Sequence, residues 1–193
     1  MKPISYEKYF WQNDLVRLRA STADDWEDAY PNYFDSQSRF LLQEEMELPP
    51  VIGTIQENSR RWAGFSSESD LLMFTIETLD GTRVGGLNLN SINERRGTFG
   101  IGIQVNIEHR GKGYGISAMR ILLRYAFLER RLNKFNSGWL DGNPQSETMH
   151  KRLGCVDEGV RRQMSYSDGQ YVDWFLVGLT KDEFVENERK FFS

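Results

Sequence analysis

From Thr98 to Val105 the chain alternates, with Phe99, Ile101, Ile103 and Val105 on one face and small or polar residues on the other. A period of two sustained over this stretch predicts a half-buried strand. Downstream, Ile116, Met119, Leu122, Leu123, Ala126 and Phe127 recur at three- and four-residue spacing. That spacing predicts an amphipathic helix. Between the two lies Val105-Asn106-Ile107-Glu108-His109-Arg110-Gly111-Lys112-Gly113-Tyr114-Gly115, a loop rich in glycine and cations that runs into the helix start.

The same patterns divide the rest of the chain. Leu15 to Arg19 alternates and predicts a first strand. Thr22 reads as an N-cap, with Asp24 and Asp25 in the first turn of a helix reaching about Tyr30. Pro31 to Arg39 predicts a second short helix, and Phe40 to Gly53 an irregular stretch containing Pro49-Pro50. Thr54 and Glu57 fit a capping box opening a helix to about Ala63, closed by Gly64. Leu71 to Leu79 and Arg83 to Ser91 predict two strands joined at the hairpin signal Asp80-Gly81. Lys134 to Leu140 predicts a strand, and Asn143-Pro144 opens a short helix ending at Gly154. Gly159 to Ser167 and Gln170 to Leu179 predict a hairpin across Asp168-Gly169. Lys181 to Phe192 predicts a terminal helix whose Phe191 and Phe192 pack on the body or on a partner. Interleaved strands and helices imply one α/β or α+β domain over residues 1–193, a single sheet with helices on both faces.

Composition narrows the classes. At 193 residues the chain is long enough for one domain with a real core. No apolar run approaches the length of a membrane span, and Met-Lys-Pro-Ile-Ser-Tyr-Glu has no signal-peptide core, so no membrane association is expected. A single cysteine, Cys155, excludes an internal disulfide and makes a cytoplasmic setting the expectation. Two histidines, His109 and His150, argue against a structural metal site. The net charge of −4 argues against nucleic acid as a partner. Acids dominate from Ala20 to Pro50 (Asp24, Asp25, Glu27, Asp28, Asp35, Glu44, Glu45 and Glu47 against Arg39), and bases dominate from Glu108 to Lys134. The basic half suits an anionic cofactor and the acidic half a cationic acceptor; both also read as ordinary solvated helix faces.

The loop before the helix is where chemistry concentrates. Glycines let the backbone turn its N–H groups toward one point, and the helix start adds unpaired N–H groups and partial positive charge. Arg110 and Lys112 add full charges, so the place suits a phosphate or pyrophosphate, against the bland alternative of a glycine-rich turn with solvated cations. Gly113-x-Gly115-x-x-Ala118 formally fits a dinucleotide fingerprint. The acidic residue that motif needs about 20 positions on is missing from Asn133-Lys134-Phe135-Asn136-Ser137-Gly138. No Gly-Lys-Ser/Thr follows the glycines, so it is not a Walker loop either.

Arg110-Gly111-Lys112-Gly113-Tyr114-Gly115 resembles the Arg-x-x-Gly-x-Gly acyl-coenzyme A pyrophosphate loop of the GNAT superfamily of N-acetyltransferases. Downstream, Asn143-Pro144-Gln145-Ser146-Glu147-Thr148-Met149-His150-Lys151-Arg152-Leu153-Gly154-Cys155 is similar to that family's Asn-x-x-Ser/Ala…Tyr-x-Lys-x-Gly-Phe segment. The likeness is greatest to the branch with ribosomal-protein N-terminal and spermidine acetyltransferases. Together the motifs span about a third of the chain, Thr98 to Gly159.

The resemblance implies a single mixed, mostly antiparallel central sheet with helices on both faces, the GNAT-like acyl-CoA N-acyltransferase fold. It implies acetyl-CoA as co-substrate and no metal. The main chain of Ile103, Gln104 and Val105 would pair with the pantetheine arm, and the N–H groups of Arg110, Gly111, Lys112, Gly113, Tyr114 and Gly115 would take the pyrophosphate. A splayed strand end would polarise the thioester oxygen, and Asn143 with Ser146 would contact the cofactor arm, although Asn143 serves equally as a helix cap. Two positions depart from the family pattern. His150 stands where relatives carry a tyrosine proposed as general acid; an imidazole can donate that proton, or it is a helix histidine without a catalytic part. Thr98 stands where relatives often have a glutamate, which leaves the base unassigned among Glu94, the acids of 24–47 and water. Cys155 reads as a buried structural thiol rather than an acyl carrier.

The expectation is direct transfer of an acetyl group to a primary amine of a small polycation, an aminoglycoside-like compound or a protein N-terminus. The competing expectation is a non-catalytic acyl-CoA-binding module that keeps the phosphate loop. Acceptor choice is expected in residues 30–65 and the last hairpin (Tyr166, Asp168, Tyr171), and the resemblance is compatible with a homodimer.

Overall fold

A computed structural model describes residues 4–43, 48–65, 69–167 and 169–192. The chain runs β1 (Val16–Ala20), α1 (Trp26–Ala29), a 3-10 turn (Tyr30–Phe34), α2 (Ser36–Gln43) and α3 (Ile52–Trp62). Then come β2 (Leu72–Thr78), β3 (Arg83–Asn93), β4 (Thr98–Val105), a 3-10 turn (Ile107–His109) and α4 (Tyr114–Arg124), which continues into a π turn (Tyr125–Glu129). The chain closes with β5 (Lys134–Leu140), α5 (Pro144–Leu153), β6 (Val156–Ser167), β7 (Gln170–Thr180) and α6 (Lys181–Phe192).

The strands form one seven-stranded sheet in the order β1-β2-β3-β4-β5-β7-β6. Every pairing is antiparallel except β4 with β5, which is parallel and brief. Only Thr98 opposite Lys134 and Phe99 opposite Phe135 are in register; beyond Phe99 the two strands separate. The sheet is therefore mixed and mostly antiparallel, as the resemblance implies.

Strand alternation sorts the two faces. Val16 and Leu18, Leu72, Phe74 and Ile76, Leu87 and Leu89, Phe99 and Phe135 point to one side. There α4 supplies Ala118, Met119, Ile121, Leu122 and Leu123, and Phe127, Leu153 and Phe184 complete a single buried cluster. Phe99 lies at its centre, in edge contact with Phe127 at 5.2 Å and tilted against Phe135 at 5.7 Å. The opposite face carries Arg19, Thr75, Asn88 and Asn90, and the α1–α3 segment lies over it through Asp25, whose carboxylate accepts from Arg19 and from Thr75 Oγ1.

Three local expectations need correction. Thr22 is not a cap: its N–H donates to Asp25 Oδ2 (2.7 Å), because that carboxylate is anchored by arginines and reaches back to the turn. Thr54 does not open a capping box, since α3 begins two residues earlier with Val51 at its N-cap. Residues 40–43, expected to be irregular, continue α2, whose start is fixed instead by Asp35 accepting from the Ser38 N–H and hydroxyl. Asp168 and the side chains of Phe191 and Phe192 lie outside the described residues.

Phe99 is 1% exposed and sits at the last in-register step between β4 and β5. Phe99→Ala should cost about 3–5 kcal/mol of unfolding free energy, a deletion-plus-cavity loss. Guanidinium unfolding of the two proteins measures it.

Candidate active site

The separation of β4 from β5 opens a cleft of about 790 Å³. One wall is β4 from Phe99 to Gln104, and the other is β5 from Asn136 to Trp139. Trp26, Tyr33, Leu41, Ile55, Trp62 and Met73 line one end, and Ser146, Met149 and His150 of α5 line the other. Because β5 has left, the β4 backbone on this side has no sheet partner beyond Phe99. Backbone N–H and C=O groups need partners, and here a ligand with amides can supply them.

Two glycines shape the β4 wall for a second reason that periodicity does not reveal. A Cβ at Gly100 would come within 2.7 Å of Asn90 Oδ1, and one at Gly102 within 2.8 Å of Asn88 Nδ2. Their register partners on β3 are those two asparagines, so the missing side chains leave room for amides that lie across β4 and line the cleft. Asn90 Nδ2 donates to Asn88 Oδ1 (2.5 Å), which fixes the pair.

The phosphate-type loop follows β4. Asn106 is buried, with its N–H on Val84 O and its Oδ1 accepting from Asn32 Nδ2 (2.9 Å). Gly111 and Gly113 adopt φ of +76° and +84°, and Gly113 in this left-handed conformation is the residue from which α4 starts. A side chain is strained there, so glycine is what the geometry requires. The N–H groups of Tyr114, Gly115 and Ile116 open α4 and by helix geometry have no carbonyl one turn back. They add partial positive charge at the start of α4; of this loop Asn106 lines the cleft, whereas Val105 and residues 110–115 do not. Lys112 is exposed, whereas the Arg110 guanidinium is turned inward: Nε donates to Val105 O, and Nη1 to Asp35 Oδ2 and Ser38 Oγ, each at 3.0 Å. The Arg110 side chain thus ties the loop to Val105 and to α2. The Ser38 hydroxyl, with help from Arg110, holds the Asp35 carboxyl below the ordinary range.

Of the other expected contacts, Ile103, Gln104 and Ser146 line the cleft. Asn143 caps α5, accepting from the Ser146 N–H at 3.1 Å, and lies in a neighbouring groove with Trp139, Asp141 and Glu147. Glu94 is exposed and pairs with Arg130, and neither it nor Thr98 lines the cleft. Cys155 is packed against the core, and burial pushes its thiol up to about 12, which removes it as an acyl carrier.

His150 is not a partly exposed helix residue; it is 3% exposed. Its ring lies between Phe135 and Trp139, stacked at centroid distances of 6.1 and 5.6 Å. Nε2 is 2.7 Å from Ser137 Oγ and Nδ1 2.8 Å from Ser146 O. Burial lowers its pKa despite the Ser146 bond, so the neutral imidazole prevails at neutral pH. Among the described residues that line the cleft, Asp25, Asp28, Tyr33, Arg83 and His150 are the titratable ones. Burial alone would raise Asp25, but the bonds from Arg19, Thr75 and the Thr22 N–H override it and hold it well below the usual carboxylate range. Asp28 pairs with Arg83 Nε.

Asn32, Asn88, Asn90 and Ser137 escaped the sequence reading. They belong to no motif, and the register that brings them together is non-local. The available signal was a polar residue recurring within an apolar strand pattern, at 88 and 90 on β3 and at 137 between Phe135 and Trp139 on β5.

Residues 16–156 match the family described as the acetyltransferase (GNAT) domain. The SPbeta prophage-derived uncharacterized N-acetyltransferase YokL of Bacillus subtilis is 28% identical over 180 residues, covering 92% of this chain and 97% of that protein. The ribosomal protein uS5-alanine N-acetyltransferase of Escherichia coli is 24% identical over 124 residues, 63% of either chain. Among solved structures, spermidine N-acetyltransferase from Vibrio cholerae, in complex with CoA and spermine, superposes with a TM-score of 0.77 at 19% identity. That superposition covers 90% of this chain and 99% of the other.

Gly113→Val places a β-branched residue at a positive φ, a strain of about 1–3 kcal/mol, and should re-aim the loop N–H groups. Calorimetric titration with coenzyme A should show affinity falling at least about tenfold.

Proposed function

This chain belongs to the GNAT acetyltransferase family and is an acetyl-CoA-dependent N-acetyltransferase, and we propose that its acceptor is the free N-terminus of a polypeptide rather than a polyamine. Membership sets aside the non-catalytic module. Acetyl-CoA supplies the activated acetyl group. The β4 backbone at Ile103 to Val105 receives the pantetheine arm, and the N–H groups from Arg110 to Gly115 receive the pyrophosphate, with Ser146 beside the arm and Asn143 ordering the turn it starts from. The fit is supported by the unpaired edge of β4 and by the helix start beyond it. Among the described residues no helix is long and apolar enough to cross a membrane.

The observation that carries the acceptor assignment is the state of the cleft's carboxylates. Asp25 is held by Arg19 at 2.6 and 2.8 Å and by Arg83 at 3.1 Å, and Asp28 faces Arg83 at 2.5 Å. A polyamine buries several ammonium groups, each costly without its own carboxylate. An N-terminus brings one. A peptide α-amine also titrates near 7.7–8.0, roughly 2.5 units below a lysine-type amine, so at neutral pH its reactive neutral fraction is a few hundredfold larger. Among the described residues lining the cleft no carboxylate is left unpaired to act as base, which suits an amine with the lower pKa of an N-terminus. The walls agree. Trp26, Tyr33 and Trp62 supply an aromatic wall for apolar side chains, with the Arg39 guanidinium already over the Tyr33 ring. Asn32 Oδ1, buried and without a hydrogen-bond partner among the described residues, lines the same cleft and accepts an amine N–H. The ribosomal-protein acetyltransferase relative acts on a protein alanine, which is consistent with this choice.

Coenzyme A release from acetyl-CoA with Ala-, Ser- and Met-terminal peptides, spermidine and an aminoglycoside tests the assignment. At least one peptide should exceed spermidine and the aminoglycoside in kcat/KM by about tenfold or more. A polyamine turned over faster than every peptide would overturn it.

A further inference from the structure

We propose that Ser137 and His150 form a proton relay at the thioester, with Ser137 as the residue that touches the reacting groups and His150 as the base positioned behind it. A main-chain carbonyl only accepts hydrogen bonds, so the 2.8 Å contact of Nδ1 with Ser146 O puts the imidazole proton on Nδ1. Nε2 is then bare and accepts the Ser137 hydroxyl proton across 2.7 Å. The Ser137 oxygen keeps its remaining lone pair for a ligand. Phe135, Ser137 and Trp139 alternate onto one face of β5, so the two rings hold the imidazole over the serine between them. Both Ser137 and His150 line the cleft where β4 and β5 part.

Among the described residues, the other titratable groups lining this cleft are paired or unsuited: Asp25 and Asp28 pair with arginines, Arg83 among them, and burial raises the Tyr33 phenol above its ordinary range. Around His150, β5 presents Phe135, Ser137 and Trp139, none charged at neutral pH. On α5, Glu147 pairs with Lys151 at 2.5 Å on the exposed side, and Arg152 is exposed. On α4, Arg120 pairs with Glu188, and Arg124 donates to Phe10 O. Among the described residues of the cleft, His150 is thus the group left to take and return a proton near neutral pH.

The steps balance. An acceptor ammonium passes one proton to Ser137 Oγ as the Ser137 proton moves to His150 Nε2. The freed amine attacks the thioester carbon, a C–N bond forms, and the C–S bond breaks to give amide and thiolate. Imidazolium Nε2–H returns its proton through Ser137 to the sulfur, and the second nitrogen proton leaves to water. Ammonium plus thioester becomes amide, thiol and one released proton. The tyrosine donor of the related enzymes is replaced by a two-residue relay whose terminal base is neutral at rest. In this relay His150 acts through Ser137 rather than as the direct acid expected at that position, because the hydroxyl occupies Nε2.

The test uses the full chain, acetyl-CoA and a high concentration of glycinamide, a simple primary amine, so that it does not depend on the peptide assignment. Ser137→Ala should lower kcat about 100-fold with KM for acetyl-CoA unchanged within about twofold, and Ser137→Thr, which keeps the hydroxyl, should retain most of the rate. The acid limb of the kcat profile should lie below the ordinary imidazole range and disappear in His150→Gln. Imidazole nitrogen shifts of the wild type, read without any acceptor, should show the Nδ1–H form, with the Nε2 signal moving in Ser137→Ala. An unchanged kcat in Ser137→Ala, or an Nε2–H imidazole, would overturn the relay.

Discussion

The parting of β4 from β5 after Phe99 is the constraint on which the rest of the molecule depends. A parallel pair that ended with both edges exposed to the core would leave buried backbone groups without partners, at a cost of the order of 1–3 kcal/mol each. The fold accommodates it by making the gap the binding cleft. Phe99, Phe127 and Phe135 close the apolar end, so the strands can separate without exposing the core. From that point β4 runs directly into the glycine loop and the start of α4. The open strand edge, the glycine loop and the helix start are therefore set by one continuous piece of chain.

Two ties couple the end of β4 and its loop to the segment that precedes and opens α2. Asn32 donates to Asn106 at the end of β4, and Asp35 with Ser38 receives Arg110 from the loop. Both cross from the segment over the polar face to the strand-loop-helix unit. The loop and the segment over the polar face therefore share one framework of hydrogen bonds. The same arginine that looks like a phosphate ligand in the sequence is the fastener between the halves.

Much of the fold was legible because its signals are local. The alternation from Thr98 to Val105, the helix period after Gly115 and the Asp80-Gly81 turn each report a short-range preference, and each element forms where its pattern lies. Asn143 was legible as a cap for the same reason. What stayed hidden is what register decides. Asn88 and Asn90 reach across β4 because glycines stand opposite them, and Ser137 meets His150 because β5 and α5 pack face to face. The tie made by the Arg110 side chain was not legible because its partner Asp35 lies 75 positions away. The N-terminal helices were the hardest to place, since their boundaries depend on anchoring of Asp25 and Asp35 rather than on capping propensity.

The central claim is that the β4 edge released by β5 holds the acetyl-CoA arm. Amide hydrogen exchange along Gly100 to Val105, with and without acetyl-CoA, tests it most directly. Alternate amides on the cleft side should exchange quickly in the free protein and become protected on binding, while those bonded to β3 stay protected throughout. Saturating acetyl-CoA that leaves every β4 amide unchanged would contradict the account.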